Sequence, residues 1–450
     1  MKKNEDIIVD IIDNGFQGEG IAKKDGITIF INGAIKGEKA KIKILKVSHN
    51  IAYGKILEII EKSEYRRQSD CETFDKCGGC AMRHIDYDKI MEIKKDTVET
   101  TLGKALGRNV SISEVIQMEN PLYYRNKLQF PVGYDKDNNP VMGVFRERTH
   151  EIIPTTNCLI QDKESQEIAN FIIDFIRNNN IKVYNEVNGT GTIRHIIVRI
   201  GKKTGEIMVN LVTNETIIPH EKELVEELVS KFNKIKTVVK NINNKNTNVI
   251  LGDTIEVLYG DGYIYDNLGD YRFKISPYSF YQVNPIQTEK LYGRAIEYAG
   301  LSGDETIFDL FCGIGTIGIF ASKNVKKLYG IETIKEAIED AKENARINNV
   351  ENAEFFVGDV EKVLPELVKE RNLTADVAFV DPPRKGCDII TINTLLEIMP
   401  KKIVYVSCNP ATLGRDLKVF EEKYNISKIS ICDMFPYTTH IESICLLELR

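Results

Sequence analysis

The alternation of apolar and polar positions gives the first outline of the chain. In KAKIKILKV, Ala40, Ile42 and Ile44 point one way and Lys39, Lys41 and Lys43 the other. A period of two marks a strand with one buried face and, here, one face of lysines. Gly15, Gly18, Gly20, Gly26, Gly33, Gly37 and Gly54 punctuate the other short runs of residues 1–62 as turns. Several short strands in so small a segment predict an OB-like β-barrel. Residues 63–89 carry a knot of cysteines, and residues 90–120 begin helically. Residues 121–270 mix the strand candidates KLQFPV, IRHIIVRI, EIMVNLV and YRFKI with one helical stretch, QEIANFIIDFIRNNN. Beyond them strands alternate with helices: ETIFDLF, KKLYGIE, AEFFVGD, DVAFVDPP and KKIVYVSCN are successive strands, and AIEDAKENARINN is a helix between two of them. This rhythm predicts an α/β, doubly wound parallel sheet. There are no internal repeats, and NINNKNTN reads as an exposed loop.

A length of 450 residues implies two or three domains. The opening MKKNEDIIVD is no signal peptide, and apolar runs such as FIIDFI fall short of a membrane span. The expectation is a cytoplasmic protein with no membrane association. A net charge of −6 argues against a non-specific nucleic-acid coat protein, but leaves room for a local basic face that meets phosphates. The lysine stripe taken alone reads first as a solvated strand face. Nine cysteines in such a setting are not expected to form disulfides.

The segment ETIFDLFCGIGTIGIF runs from an apolar strand through a glycine turn into a helix, with Gly313, Gly315 and Gly318 spaced G-x-G-x-x-G. The following strand ends in Glu332, suited to accept hydrogen bonds from two ribose hydroxyls, and the next ends in Gly358-Asp359, suited to an adenine amino group. From this segment alone a nicotinamide dinucleotide site, or a tight turn with a chance acid, remains open. Two later strands change the picture. Asp381-Pro382-Pro383 follows one and Ser407-Cys408-Asn409-Pro410 the other, which places both loops at the carboxyl edge of the sheet beside the nucleotide.

A thiol at that edge has a chemical use. Carbon 5 of uracil is a poor nucleophile, but a thiolate added to carbon 6 makes the ring an enolate whose carbon 5 can attack the methyl of S-adenosylmethionine. Only the thiolate attacks, so Arg384 and Lys385 are expected to lower the pKa of Cys408. A general base must then remove the carbon 5 proton. In MFPYTTHIESICLLELR, Glu442 is the candidate base, with His440 expected on the same strand face. The plain alternatives are a buried structural cysteine and a surface carboxylate. Cys387, Cys432 and Cys445 read as structural, and Cys312 as incidental to the glycine turn.

Cys71-x5-Cys77-Gly-Gly-Cys80 gathers three thiols within ten residues, and Cys158 is the natural fourth ligand. One tight triad with one distant cysteine favours a [4Fe–4S] cluster over zinc, whose sites more often show two paired C-x2-C knuckles. The spacing is longer than that of radical enzymes, so the cluster reads as structural or RNA-positioning.

Together these motifs resemble the RNA uracil-5-methyltransferase family, and within it the 23S ribosomal RNA branch. Residues 1–62 look like its TRAM domain, the cysteines like its [4Fe–4S] ligands, and FYQVN, DLFCGIGT, DPPRKG, SCNPATLGRD and the terminal P-x-T-x-H-x-E like its catalytic motifs. The resemblance implies a Rossmann-like S-adenosylmethionine-dependent domain over 90–120 and 271–450, and a central α+β iron–sulfur domain over 63–89 and 121–270. It implies that Gln282, Phe311, Gly313, Glu332, Asp359 and Asp381 contact S-adenosylmethionine, that Cys408 is the nucleophile and Glu442 the base, and that Arg125, Asn126 and Lys127 of YYRNKLQF touch RNA. The expected substrate is 23S ribosomal RNA, its target base flipped from a loop or junction, with no obligate protein partner. The rival readings are a tRNA uracil-5-methyltransferase, which would typically lack the lysine-striped module and the cluster, and a non-catalytic iron–sulfur RNA-binding protein. A cytosine-5 enzyme would carry a second cysteine where this chain has Pro-Pro-Arg. An amino-group methyltransferase would favour an aromatic residue at Arg384.

Overall fold

The computed structural model describes residues 1–147 and 149–450. The alternating N-terminal runs form a six-stranded sheet in which Lys39–Ser48 lies between Asp6–Asp10 and Ile51–Glu61. Ala40, Ile42 and Ile44 are fully buried in its core, as their period requires. The lysines on the opposite face are not free: Lys41 and Lys43 approach Asp6 at 4.0 and 3.9 Å, and Lys39 approaches Glu61 at 3.7 Å. Carboxylates on both neighbouring strands therefore offset much of the charge that a phosphate would meet.

The second sheet has seven strands, from Ile152–Pro154 through Pro140–Phe145, Lys127–Tyr134, Ile193–Ile200, Ile207–Thr213 and Ile235–Ile242 to Thr254–Tyr259. The helix Lys163–Asn178 starts where the Asp162 carboxylate accepts the Ser165 N–H at 3.1 Å. Its stripe of Ile168, Ile172, Phe175 and Ile176 packs on Leu128, Phe130, Ile196 and Val198 of that sheet. On the other face of the same strands Lys127 sits directly across from Arg199.

The third sheet has eight strands. Ala353–Val357, Lys327–Glu332, Thr306–Leu310, Val377–Val380 and Lys402–Ser407 run parallel, with helices in both crossover layers. Glu442–Leu449 then inserts antiparallel between Lys402–Ser407 and Tyr424–Cys432, and Glu114–Ile116 adds itself at the far edge. The helix Tyr87–Leu106 lies against Pro410–Phe420. Their approach depends on Gly414, where a Cβ would stand 2.6 Å from that of Ala105. Residues far apart in sequence thus brace the element that follows Cys408. The hairpin Ile264–Leu268 and Tyr271–Ile275 buries Ile264, Leu268, Phe273 and Ile275 in the core of this third layer. Among the described residues no helix is long and apolar enough to cross a membrane.

Candidate active site

The carboxyl ends of the parallel strands set the geometry. After Thr306–Leu310 the chain turns through Phe311, held at φ 66°, and then Gly313 at 56° and Gly315 at 80°. A positive φ strains Phe311, and such strain gathers at ligand sites. A Cβ on Gly313 would meet nothing within 4 Å, so this turn faces open space, whereas one on Gly318 would press on Leu328 and Asp309 at 2.7 and 2.8 Å. The third glycine therefore serves helix–strand packing and the first leaves room for a ligand. Glu332 ends the neighbouring strand and accepts the N–H groups of Gly313 at 3.1 Å and Ile334 at 3.0 Å. Asp359 is half-exposed. It binds Lys362 at 2.6 Å and the Thr333 hydroxyl at 2.9 Å, and both hold its carboxyl below the usual range.

Behind the turn lies Asp309, a residue the sequence did not single out. Burial pushes its carboxyl up to about 7, one oxygen accepts the Gly318 N–H at 2.8 Å, and the other is buried without a partner. Burial likewise raises Asp381 to about 7. Tyr292 is buried between Asp381, whose charge raises its pKa, and Gln282, which opposes that rise, and its hydroxyl is 3.4 Å from that of Thr316. An open glycine turn, a strand-end carboxylate and buried acids with spare acceptor capacity fit the hydroxyls and amino groups of S-adenosylmethionine.

Cys408 follows one strand and Glu442 opens its antiparallel neighbour, the two paired through Ser407 and Ser443. The two groups, with Asp381 and Arg384, share one electrostatic neighbourhood. Glu442 is buried, and desolvation and Asp381 hold its carboxyl well above the usual range against the pull of Arg384. The expectation of a lowered thiol pKa fails: burial, then Glu442 and Asp381, push Cys408 up to about 11, and Arg384 offsets only part of it. His440 does not share a strand face with Glu442. The strand begins at Glu442, and His440 lies in the preceding loop, 3.4 Å from the Arg384 guanidinium, its pKa lowered by burial and nearby cations. The cavity at Cys408 measures about 20 Å³ and is bounded by Phe16, Gly18, Lys94, Thr97 and His440 among others, room for about one water.

Lys94 was invisible in the sequence. It is buried against Asp433, with its Nζ 2.6 Å from the carboxylate and 3.2 Å from the Phe435 carbonyl, and the Tyr87 hydroxyl donates to the other Asp433 oxygen at 2.8 Å. This pins the helix Tyr87–Leu106 to the segment leading into Glu442. Asn126 links the second sheet to the third, donating to the Gln282 carbonyl at 3.0 Å. Arg199, also missed, is buried and donates to the Ser279 carbonyl at 3.0 Å, while burial and the charges of Arg199 and Arg125 push Lys127 down to about 7.

Cys71, Cys77, Cys80 and Cys158 all line one cavity of about 190 Å³, together with Arg83 and Arg125. The Gly79 N–H donates to the Cys77 sulfur at 3.2 Å, and burial raises Cys80 to about 12. Among the described residues no three His, Cys, Asp or Glu side chains gather closely enough to hold a single metal ion. Cys312, Cys387, Cys432 and Cys445 are buried.

A family model described as tRNA (Uracil-5-)-methyltransferase matches residues 86–450, and one described as the TRAM domain matches residues 2–57. An uncharacterised RNA methyltransferase of Clostridium acetobutylicum is 48% identical over 100% of this chain and 98% of its own, and one of Staphylococcus aureus is 43% identical over 98% and 97%. The crystal structure of the Pyrococcus abyssi tRNA (uracil-54, C5)-methyltransferase in complex with S-adenosyl-L-homocysteine covers 98% of this chain and 100% of its own, at 28% identity and a TM-score of 0.78. The chain belongs to the tRNA (uracil-5-)-methyltransferase family, as an S-adenosylmethionine-dependent RNA uracil-5-methyltransferase of mixed α/β fold with an N-terminal TRAM domain.

Proposed function

We propose that the chain methylates carbon 5 of a uridine in 23S ribosomal RNA, with Cys408 as nucleophile and Glu442 as base. The observation that carries the mechanism is the shared neighbourhood of Cys408, Glu442, Asp381 and Arg384 at the carboxyl edge of the sheet. S-adenosylmethionine supplies an electrophilic methyl group; Gln282, Phe311, Gly313, Glu332, Asp359 and Asp381 would hold it. The Cys408 thiolate adds to carbon 6, and the electrons of the carbon 5–6 double bond pass onto the ring as an enolate. Carbon 5 takes the methyl group as its bond to the sulfonium sulfur breaks, and neutral S-adenosylhomocysteine is the leaving group. Glu442, as carboxylate, then removes the carbon 5 proton, the double bond re-forms, and Cys408 leaves as thiolate. Burial makes Glu442 a stronger base than a solvated carboxylate, which suits it to a carbon acid.

The same reading gives Cys71, Cys77, Cys80 and Cys158 to a [4Fe–4S] cluster. A single zinc ion needs a tighter set of ligands than the described residues gather. Four thiols around one cavity of about 190 Å³, with Arg83 and Arg125 at its wall to balance anionic charge, suit a larger body. The domain division rests on similar support: residues 1–62, 63–89 with 121–270, and 90–120 with 271–450. The strand Glu114–Ile116 joins the third sheet, while the hairpin at 264–275 straddles the proposed border.

A tRNA substrate is the second reading, favoured by one observation. The Pyrococcus protein, named for tRNA uracil-54, matches this chain over nearly its whole length, so an N-terminal module does not set the two substrates apart. The test is incubation with unmodified 23S ribosomal RNA and unmodified tRNA, with labelled methyl donor. 5-Methyluridine in the first alone supports the proposal, label in tRNA alone replaces it, and methylated cytosine removes the mechanism.

A further inference from the structure

The Cys408 cavity is the inner end of a longer path. Gly15, Phe16, Ile93 and Thr97 border it, and the same residues border a groove of about 290 Å³ between the N-terminal barrel and the helix Tyr87–Leu106. That groove in turn shares Thr100 and Lys104 with an open depression further along the helix. The path therefore runs from the proposed nucleophile, past Phe16, and out along one helix face.

Its lining suits one kind of occupant. Phe16 is 54% exposed, a large ring left in solvent beside the site. Asp13 and Asp96 are set against Lys36, Lys89 and Lys104. Lys36 and Lys89 are engaged by Asp13 at 3.5 Å and Glu92 at 2.6 Å, and Lys104 has no carboxylate within ion-pair distance among the described residues. Thr97, Thr100 and Thr101 add hydroxyls to the same lining. An aromatic platform, hydroxyls and one available cation match a short stretch of single-stranded nucleic acid, whose bases stack while few phosphates are neutralised. The loop that carries Phe16 packs closely at its Gly18 end, where a Cβ, at φ 78°, would press on Thr439 and Met82 at 3.1 and 3.2 Å. It abuts the segment that leads into His440 and Glu442. A pyrimidine ring is far larger than the space now beside Cys408, so this wall must shift when a base enters.

We propose that the seam between the N-terminal barrel and the helix Tyr87–Leu106 is the track for the single-stranded RNA flanking the target uridine. Phe16 is its stacking platform for the neighbouring base and the yielding wall of the Cys408 pocket. The inference rests on the RNA uracil-5-methyltransferase reading of that pocket. It places the barrel's contact with RNA at the loop 13–18, not on the lysine stripe that Asp6 and Glu61 already partner.

The test compares Phe16→Ala, Phe16→Tyr, Lys104→Glu and, on the stripe, Lys41→Glu, each checked for an unchanged melting temperature. Filter binding and steady-state kinetics use whichever unmodified RNA the wild type methylates. Phe16→Ala and Lys104→Glu should each weaken binding and raise KM by about tenfold, the loss typical of one stacking or phosphate contact. Phe16→Tyr should restore the wild-type values, and Lys41→Glu should stay within about twofold of them. Trapping with 5-fluorouridine RNA and S-adenosylmethionine runs in parallel, because fluorine cannot leave carbon 5 as a proton and the adduct stalls. Absence of a wild-type adduct condemns the Cys408 reading without touching the binding comparison. Wild-type binding by both Phe16→Ala and Lys104→Glu, or a loss in Lys41→Glu as large as theirs, overturns the track.

Discussion

Two groups of cysteines in this chain are half-buried alike and serviced differently. Cys408 stands alone among Glu442 and Asp381, with Arg384 as its one favourable charge, and is pushed up to about 11. Cys80 stands among three other thiols, with Arg83 nearby and desolvation pushing it up to about 12. Both thiols are protonated at neutral pH in the free protein. They differ in what would release the proton. At the cysteine cavity, backbone N–H groups of Gly79, Ile160 and Gln161 already favour the thiolates, and iron would complete that trend. At Cys408 the neighbours are acids, which oppose a standing thiolate, so the charge is best tolerated in transit, during addition to a ring. A permanent ligand and a transient nucleophile ask opposite things of the same atom, and the neighbouring residues supply them.

The sharpest break of that contrast is Cys408→Ala. Methyl transfer to RNA should fall by at least about 10⁴-fold, in the range nucleophile removal reaches in other covalent enzymes, while the colour and iron content of the purified protein stay unchanged. Undiminished 5-methyluridine from this variant would end the nucleophile assignment. Glu442→Gln should cost about 10²- to 10⁴-fold as a lost general base. It should also do what Cys408→Ala does not, and accumulate a covalent protein–RNA species on denaturing gels, because addition and methylation proceed while elimination stalls. A slow variant with no such species would assign proton removal elsewhere.

The pattern of alternation located the strands well because each sheet buries a face whose period is local: Ala40, Ile42 and Ile44 are buried as read, and so is the stripe of the helix Lys163–Asn178. The strand-end acids and Cys408 were legible for a similar reason, since a parallel sheet gathers its carboxyl ends at one edge. What the sequence hid depends on contacts across long separations. Lys94 meets Asp433 only because Gly414 lets one helix rest on another. Asp309 reads as a chance acid within an apolar strand until Gly318 is seen to donate to it. His440 was misplaced because a period of two was extended past the true start of the strand at Glu442. The sign of the Cys408 shift was missed for a physical reason too: of the two motif cations only Arg384 acts on the thiol, and burial with the two acids outweighs it.

A smaller effect sharpens the other side of the comparison. Cys80→Ser should lower the iron content and the charge-transfer absorbance of anaerobically purified protein. It should also lower the melting temperature by several degrees, as expected when a ligand bound only by the native state is lost. Methylation at saturating RNA should fall far less than in Cys408→Ala. Stoichiometric zinc in the wild type would replace the cluster by a different metal.

The gentlest test reads the charges around Cys408 directly. Alkylation by iodoacetamide follows the thiolate fraction. With the thiol raised to about 11, the rate should climb about tenfold per pH unit from 7 towards 10. The sign of each neighbour then predicts the variants at a fixed pH of 9. Arg384→Ala removes the cation that lowers the thiol pKa and should slow alkylation several-fold. Glu442→Gln removes an acid that raises it and should speed alkylation by a similar factor. Mass mapping of the modified peptide separates Cys408 from the four thiols at the second cavity. An alkylation rate that is flat with pH, or faster alkylation in Arg384→Ala with slower alkylation in Glu442→Gln, would show that the acids do not govern this thiol and that its chemistry is prepared before RNA arrives.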